Sequence, residues 1–171
     1  MPTLTTTEQL LLSIALSNAA KIRALPTQLG KNFDSSRLIS QVISDRLELA
    51  GYHLRIGDRF FQDGEYRTSI SRHYYAMYHA ARAIAFATHK GDDFQQHSIL
   101  PKNLPTKLPP SNSSGPWQTE LTRARLIRNQ ADYDLYPVSI KDWEGDARDM
   151  AAIAPLFVAA CSDFALNEGL I

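Results

Sequence analysis

The segment from Tyr66 to Gly91, YRTSISRHYYAMYHAARAIAFATHKG, constrains the fold of this chain more than any other. Apolar residues recur along it at spacings of three and four, which is the period of an α-helix. One row is small and would let another helix approach closely: Ala76, Ala80, Ala83 and Ala87. A second row is bulkier: Ile70, Tyr74, Met77, Tyr78, Ala81 and Ile84. A helix that is apolar over so much of its circumference belongs at the centre of a helical bundle.

Periodic segments on both sides of this helix supply its neighbours. A capping signal predicts a first helix from near Thr7 to just before Pro26, and a second signal at Asp34 opens a long helix whose apolar stripe leaves Arg46 largely outside. After the central helix, one helix is predicted to end at Pro137, and a last one runs through residues 139–170. With no alternating strand pattern, the prediction is an all-α, up-and-down bundle of four to five helices in one domain, residues 1–171.

Residues 92–116 separate the central helix from the next one and contain a serine-rich tip and several prolines, which exclude a continuous helix. The prolines are Pro101, Pro105, Pro109, Pro110 and Pro116. A loop of this length within a domain is usually functional or mobile. It also carries one histidine, His97.

Charge and cysteine content limit the partners and the cellular compartment that we expect for this protein. Lys and Arg number 18 and Asp and Glu number 18, so no net field draws the chain onto nucleic acid or membrane, and any such contact needs a local patch. The single cysteine, Cys161, lies in an apolar context typical of a buried side chain and excludes an internal disulfide. The N-terminal region lacks a signal-peptide pattern. We therefore expect a cytoplasmic protein with no membrane partner.

The commonest catalytic signatures are missing. The five histidines are scattered, and one cysteine cannot build a zinc cage. The eight glycines are isolated, so neither a phosphate-binding loop nor a dinucleotide fingerprint is present. The sequence predicts no metal site and no cofactor.

The run RARLIRNQADYDLYP, Arg123 to Pro137, is the strongest candidate for a functional site. On a helix, Arg125 and Asp132 fall within about 20° of each other and Arg128 within about 60°, so they share one face. One interpretation is a solvated ladder in which Arg128 pairs with Asp132, worth about 0.3 to 0.5 kcal/mol. The other is a phosphate-binding face, where Arg128 presents its bidentate fork, Asp132 orients it and Asn129 adds hydrogen bonds.

Three pieces in this order resemble HEPN domains: YRTSISRHYYAMYHAARAIAFA, the proline-broken loop with His97, and RNQADYD. The resemblance covers roughly Leu38 to Leu166. It implies a bundle of four or five helices that commonly forms a homodimer with the arginine motifs facing a shared cleft. It also implies a place in prokaryotic toxin modules or beside a nucleotidyltransferase-fold partner.

Catalytic members of that family are metal-independent endoribonucleases. Their motif is an Arg, often followed by a polar residue, with a His a few residues later. Arg128 and Asn129 match the front of that motif, but no histidine occurs from Gln130 to Pro137, and Tyr133 or Tyr136 stands in its place. The chain resembles the branch that reads Arg, two residues, Ala-Asp-Tyr. A tyrosine, with an ordinary pKa of about 10, is a poor base at pH 7, and losing a tuned base lowers a rate by about 10² to 10⁴.

These observations leave three hypotheses. The first is an Arg-centred cleft that binds RNA or a nucleotide, in a toxin-like or regulatory protein with weak or no ribonuclease activity. The second is a non-catalytic partner of a nucleotidyltransferase-fold protein, adenylylated at Tyr133 or Tyr136. The third is an active ribonuclease. The residues expected to bind are Arg125, Arg128, Asn129, Tyr136, His97 and Tyr75, and those expected to catalyse, if any do, are Arg128, Asp132 and Tyr133. Alternatively, the Tyr74 to His79 run packs the core and His97 only anchors its loop.

Overall fold

The computed structural model describes residues 3–29, 35–109 and 116–171, which form six α-helices and two short 3-10 helices. The helices are α1 (Thr6–Ala15), α2 (Ala19–Leu29), α3 (Ser35–Gln62), α4 (Tyr66–His89), α5 (Trp117–Tyr133) and α6 (Glu144–Asn167). The 3-10 helices are Leu100–Asn103 and Ile140–Trp143. No strand occurs in these ranges, so the predicted all-α fold is confirmed.

Helix α4 lies at the centre, with α3, α5 and α6 packed around it. All four alanines of its small row are at most 1% exposed, which confirms the close approach that the sequence predicted. A short turn at Asp63 and Gly64 joins α3 to α4, and Gly64 takes the positive φ of 77° that favours glycine. Farther along this helix pair, a Cβ on Gly57 would lie 2.8 Å from the His73 ring, so only glycine lets α3 approach α4 here.

The predicted first helix is two helices. Asn18 ends the run, because its Oδ1 accepts a hydrogen bond from the Lys21 N–H at 2.9 Å and so caps α2. Asp93, distant in sequence, accepts from the Ala19 N–H at 2.9 Å and fixes the same start. The end predicted before Pro26 is also wrong, since α2 continues to Leu29. The capping signal at Asp34 lies outside the described residues.

A buried ion cluster ties the N-terminal helices to the centre. Arg46 on α3 is 8% exposed and not on the outer face that its spacing suggested. Its Nη1 lies 3.0 Å from Asp92 Oδ1 and its Nη2 donates to the Ala15 carbonyl at 2.6 Å. Arg82 on α4 also binds Asp92, through Nε at 3.2 Å and through Nη2. We name Arg46, Arg82 and Asp92 the Asp92 cluster.

The loop after α4 is packed along much of its length, so the part from 92 to 109 is an ordered structure and not an open linker. Leu100, Leu104 and Leu108 are all buried in the main core. The Tyr78 hydroxyl donates to the Gln95 carbonyl at 2.6 Å, which holds the loop against α4. The serine-rich tip that the sequence singled out lies outside the described residues.

Helix α6 packs against α4 and also contacts α3. The stretch from Ile140 to Asn167 is long and apolar enough to cross a membrane by length and composition. However, Ala147, Ala154 and Phe157 are fully buried against the bundle, which is the arrangement of a core helix. The helix continues through Pro155, and Cys161 is buried as predicted.

Candidate functional site

Arg67 sets the position of the candidate site by fixing the end of α5 on α4. Its Nε donates to the Ala131 carbonyl at 2.6 Å and its Nη2 donates to the Asp134 carbonyl. A cation on the free carbonyls of a helix C-terminus is favourable, because the helix dipole is negative there. The guanidinium also lies 4.9 Å from the centre of the Trp143 ring. Helix α5 therefore ends at Tyr133, four residues before the proline that was predicted to stop it.

Arg128, one turn before this end, reaches across to α4. Its Nη2 donates to the Tyr75 hydroxyl at 2.7 Å, and its Nη1 donates to Asn129 Oδ1 at 3.2 Å. Its Nε lies 2.7 Å from Asp132 Oδ2, but the N–H does not point at that oxygen, so the contact is an ion pair without a directed hydrogen bond. The predicted pairing with Asp132 is present, but with 14% of the arginine side chain exposed it is no solvated ladder.

Three arginines around this point carry a buried donor with no acceptor. The Nε atoms of Arg72, Arg125 and Arg128 are inaccessible to solvent and make no hydrogen bond to the described residues. We name these residues the Arg128 cluster. A buried polar group left without a partner costs about 1–3 kcal/mol and more when charged, so this arrangement suits an acceptor from outside the chain.

An open pocket of about 510 Å³ lies beside the Arg128 cluster, between α4 and the end of α5. Arginine and hydroxyl groups of α4 form one wall: Arg67, Thr68, Ser71 and Arg72. The other wall runs from Ala131 to Leu135. Asp132 stands between them, with its Oδ2 3.5 Å from Ser71 Oγ. The pocket thus presents the Arg72 guanidinium and the neutral hydroxyls of Thr68 and Ser71, groups that can bind an oxyanion, beside the carboxylates of Asp132 and Asp134.

On the other side of Tyr75, histidines and tyrosines form a second group, the histidine-tyrosine cluster. Its members are Tyr74, Tyr75, Tyr78 and His79 on α4, His53 on α3 and His97 on the loop. The rings of His53 and His79 stack at 5.3 Å, and those of Tyr78 and His97 stack at 4.1 Å. Tyr74 is 1% exposed and its hydroxyl lies 2.5 Å from His97 Nδ1. Core packing was the right prediction for Tyr74 and Tyr78, whereas Tyr75 is partly exposed.

Burial and nearby cations hold these histidines neutral. Burial lowers the pKa of His79 to about 4, and His53 and two arginines add to the effect. The pKa of His97 is lowered by burial first and then by Arg128. Burial raises the pKa of the Tyr74 hydroxyl, which therefore keeps its proton. Burial therefore favours the neutral forms of His79, His97 and Tyr74.

The structure brings most of the predicted site residues together. Arg125 and Arg128 both act on Tyr74 and His97 electrostatically, and Tyr75 and Asn129 contact Arg128 directly. The Tyr133 ring lies 5.5 Å from the Arg128 guanidinium, although 71% of the residue is exposed. Tyr136 is 76% exposed, lies beyond the end of α5 and makes no contact with Arg128 among those described.

Sequence reasoning missed several residues of this site. Arg67, Ser71 and Arg72 were not singled out, and His53 was considered only as a metal ligand. A usable signal was present on α4, because positions 68, 71, 72, 75 and 79 are three or four residues apart and share one face. No group of three or more metal-binding side chains occurs among the residues that the structure describes.

A strip of exposed apolar side chains follows the pocket. It comprises Tyr133, Leu135, Tyr136, Val138 and Ile140, of which the first four are more than two-thirds exposed. Hydrogen bonds from Arg67 to the Asp134 carbonyl and from Trp143 Nε1 to the Pro137 carbonyl hold its backbone. The peptide bond between Tyr136 and Pro137 is cis. We name residues 133–140 the exposed strip.

Among known protein families, one family model matches most of the bundle. The family model for the HEPN domain matches residues 43–163, well over half of the chain. The match runs from α3 into α6 and includes the Arg128 cluster, the pocket and the histidine-tyrosine cluster. Neither the curated proteins nor the solved structures gave a match.

Proposed function

The chain belongs to the HEPN domain family, and from this premise we propose that it binds RNA or a nucleotide at the Arg128 cluster. In this proposal it has weak or no ribonuclease activity and works as a toxin-like or regulatory protein in the cytoplasm. The observation that carries the proposal is the set of three buried arginine Nε donors without an acceptor beside an open pocket. A phosphodiester supplies several acceptor oxygens at the spacing of an arginine fork.

Arginines offset the carboxylates of the pocket. Two arginines and two aspartates line it, namely Arg67, Arg72, Asp132 and Asp134, and Arg128 lies 2.7 Å from Asp132 on its edge. With Arg128 included, the arginines outnumber the carboxylates. The Nε of Arg128 lies beside Asp132 without a directed hydrogen bond, and the Nε donors of Arg72 and Arg125 have no acceptor among the described residues. Two aromatic rings beside Arg128, the partly exposed Tyr75 and the exposed Tyr133, provide faces on which a base can stack.

Weak or absent cleavage is proposed because the site lacks a tuned base. No histidine follows Arg128 on α5, and Tyr133 occupies the next turn with its ring turned over the guanidinium. Attack by a ribose 2′-hydroxyl needs a base that accepts a proton near neutrality. The lowered pKa values of His79 and His97 leave both as weaker bases than an ordinary histidine.

The direct test is affinity for a fluorescein-labelled single-stranded RNA, measured by fluorescence anisotropy. Arg128→Ala is expected to weaken binding about tenfold or more, since a charged hydrogen-bonded contact contributes about 1.5–3 kcal/mol. Arg148→Ala is the matched control, because its side chain is 70% exposed on α6 and pairs only with Glu144 among the described residues. Equal affinity of wild type and Arg128→Ala would contradict RNA binding at this site. Incubating the same RNA with a chelator at high protein concentration tests cleavage, and rapid metal-free cutting would contradict weak activity.

The exposed strip favours a second candidate, a protein-binding role. Four large apolar side chains held on an ordered backbone form an unusual surface for a solvated region. A nucleotidyltransferase-fold partner that covers the strip and adenylylates Tyr133 or Tyr136 fits their exposure, and so does a second copy in a homodimer. Co-expression with the product of the adjacent gene, followed by intact-mass measurement, tests the first. Sedimentation of wild type and Leu135→Glu tests the second. Absence of both a complex and a dimer would contradict this role.

A further inference from the structure

His97 is the member of the histidine-tyrosine cluster that lies outside the helices. It stands on the loop after α4, yet three tyrosines of that helix hold its ring. Tyr78 stacks on it at 4.1 Å with the planes 14° apart, Tyr74 contacts its Nδ1 at 2.5 Å, and Tyr75 meets it edge-on at 78°. A ring that is stacked on one face, bonded at one nitrogen and met by a third aromatic ring has a fixed orientation, which a loop anchor alone does not require.

We propose that Tyr74 locks His97 as a neutral tautomer with its proton on Nε2, and that this N–H donates a hydrogen bond to an oxygen of the bound RNA. His97 is then a binding and positioning residue and does not replace the missing motif histidine as a base. The identity of the ligand rests on the proposed function, whereas the tautomer does not.

The tautomer follows from the contact with Tyr74. The Tyr74 hydroxyl carries a proton at neutral pH, and among the described residues its hydrogen-bond partner is His97 Nδ1. A phenol that donates to Nδ1 requires a lone pair there, so the ring proton lies on Nε2. In general, the hydrogen bond made at one imidazole nitrogen determines whether the other nitrogen carries the proton.

The surroundings of His97 oppose a second proton. On α4 the ring faces Tyr74, Tyr75 and Tyr78, with Arg82 and His79 farther along the helix, and on α5 the charges that act on it are Arg125 and Arg128. Burial and these three arginines all disfavour an imidazolium, and none of the contacts described for the ring is with a carboxylate. A neutral ring with a protonated Nε2 has no lone pair at that atom, so it donates and does not accept a proton there.

His97 is linked to the Arg128 cluster through Tyr75, and its Nε2 is the ring nitrogen that remains for a ligand. The two nitrogens of an imidazole point away from each other, so Nε2 is directed away from the buried Tyr74 hydroxyl. Tyr75 lies between His97 and Arg128, since its ring meets His97 and its hydroxyl accepts from Arg128 Nη2 at 2.7 Å. In this proposal, a ligand phosphate at Arg128 places the adjoining part of the RNA chain over Tyr75, the ring that also meets His97.

Histidine-detected ¹H–¹⁵N correlation spectra of the wild-type protein test the tautomer without any substitution. At pH 7 we expect the His97 signals of a neutral ring with a protonated Nε2 and an unprotonated Nδ1, unchanged down to about pH 6, below the usual pKa of about 6.5. In Tyr74→Phe, whose ring keeps the core volume, we expect a mixture of tautomers. A proton on Nδ1 or a charged ring at pH 7 in the wild type would overturn the proposal.

RNA affinity by anisotropy tests the contact. We expect His97→Ala to weaken binding about fivefold to tenfold and His97→Gln to stay within about threefold of wild type, because the glutamine amide keeps a donor near the place of Nε2. Thermal unfolding of each variant establishes that it is folded. Equal affinity of His97→Ala and wild type would overturn the contact. If wild type itself binds no RNA, the proposed function fails, and the spectra still decide the tautomer.

Discussion

Two groups of arginines in this bundle differ in whether the chain itself supplies acceptors for their buried donors. In the Asp92 cluster, Arg46 and Arg82 share a carboxylate that is 3% exposed, and Arg46 also donates to two backbone carbonyls. In the Arg128 cluster, three Nε donors are buried without an acceptor in the described residues, next to an open pocket. Both groups lie against α4, so burial alone does not separate them.

The difference lies in whether the chain satisfies its own donors. A buried charge with a complete set of partners contributes to holding the fold, and removing one partner is costly because the others remain buried. A donor set that the chain leaves incomplete is available to a ligand. The Asp92 cluster therefore stabilises the fold, and the Arg128 cluster is the group available for binding.

The largest expected effect is on the Asp92 cluster. Asp92→Asn leaves two buried guanidinium groups without their counter-charge, so the free energy of unfolding should fall by about 3–5 kcal/mol. Urea denaturation followed by circular dichroism measures it. Asp149→Asn is the control, because its ion pair with Arg123 has about half of each side chain exposed and should contribute at most about 1 kcal/mol. Similar small losses in both variants would show that the Asp92 cluster contributes no more to stability than a surface ion pair.

Arg67 lies at the border between the two groups, since it lines the pocket but its donors reach the end of α5. Arg67→Ala should lower the free energy of unfolding by about 1–2 kcal/mol, through the lost contacts at the helix C-terminus. RNA affinity should fall as well, because the orientation of Arg128 depends on that helix end. Arg59→Ala, a side chain 78% exposed at the end of α3, should change neither. Full stability in Arg67→Ala would place this residue with the binding group alone.

Stability should also depend on the protonation of His79, which lies between the two arginine groups in sequence on α4. His79 has its pKa lowered to about 4 in the folded state, so between pH 6.5 and 4 the unfolded chain binds more protons than the folded one. The stability that depends on a neutral His79 is fully present above about pH 6.5 and is lost as the pH falls through about 4. Urea midpoints across this range should fall less steeply in His79→Gln than in wild type. Parallel pH profiles would contradict the neutral state of this ring.

The effect on stability at Arg128 should be smaller than at Asp92. Arg128→Ala removes the hydrogen bonds to Tyr75 and Asn129 and the ion pair to Asp132, but the Asp132 side chain that it leaves behind is 25% exposed to water. The free energy of unfolding should therefore fall by about 1–2 kcal/mol. The same urea titration measures it. A loss as large as that expected for Asp92→Asn would make Arg128 a structural residue and remove the basis of the proposed function.

Patterns that depend on neighbours along one helix were predictable from the sequence. The two rows of α4, the all-α bundle and the pairing of Arg128 with Asp132 all follow from spacings of three and four. Features that depend on a distant residue were not predictable in this way. The burial of Arg46 needs Asp92 from the loop, and the break before α2 needs Asp93 as well as the Asn18 cap. The grip of three tyrosines on His97 likewise arises only when the loop folds back on α4.

The most direct test of the central comparison follows arginine Nε–H signals in ¹H–¹⁵N spectra while a short single-stranded RNA is added. The account predicts large changes at Arg72, Arg125 and Arg128, whose donors gain acceptors, and little change at Arg46 and Arg82, whose donors are already paired. Changes at Arg46 and Arg82, or no change at the other three at saturating RNA, would contradict it.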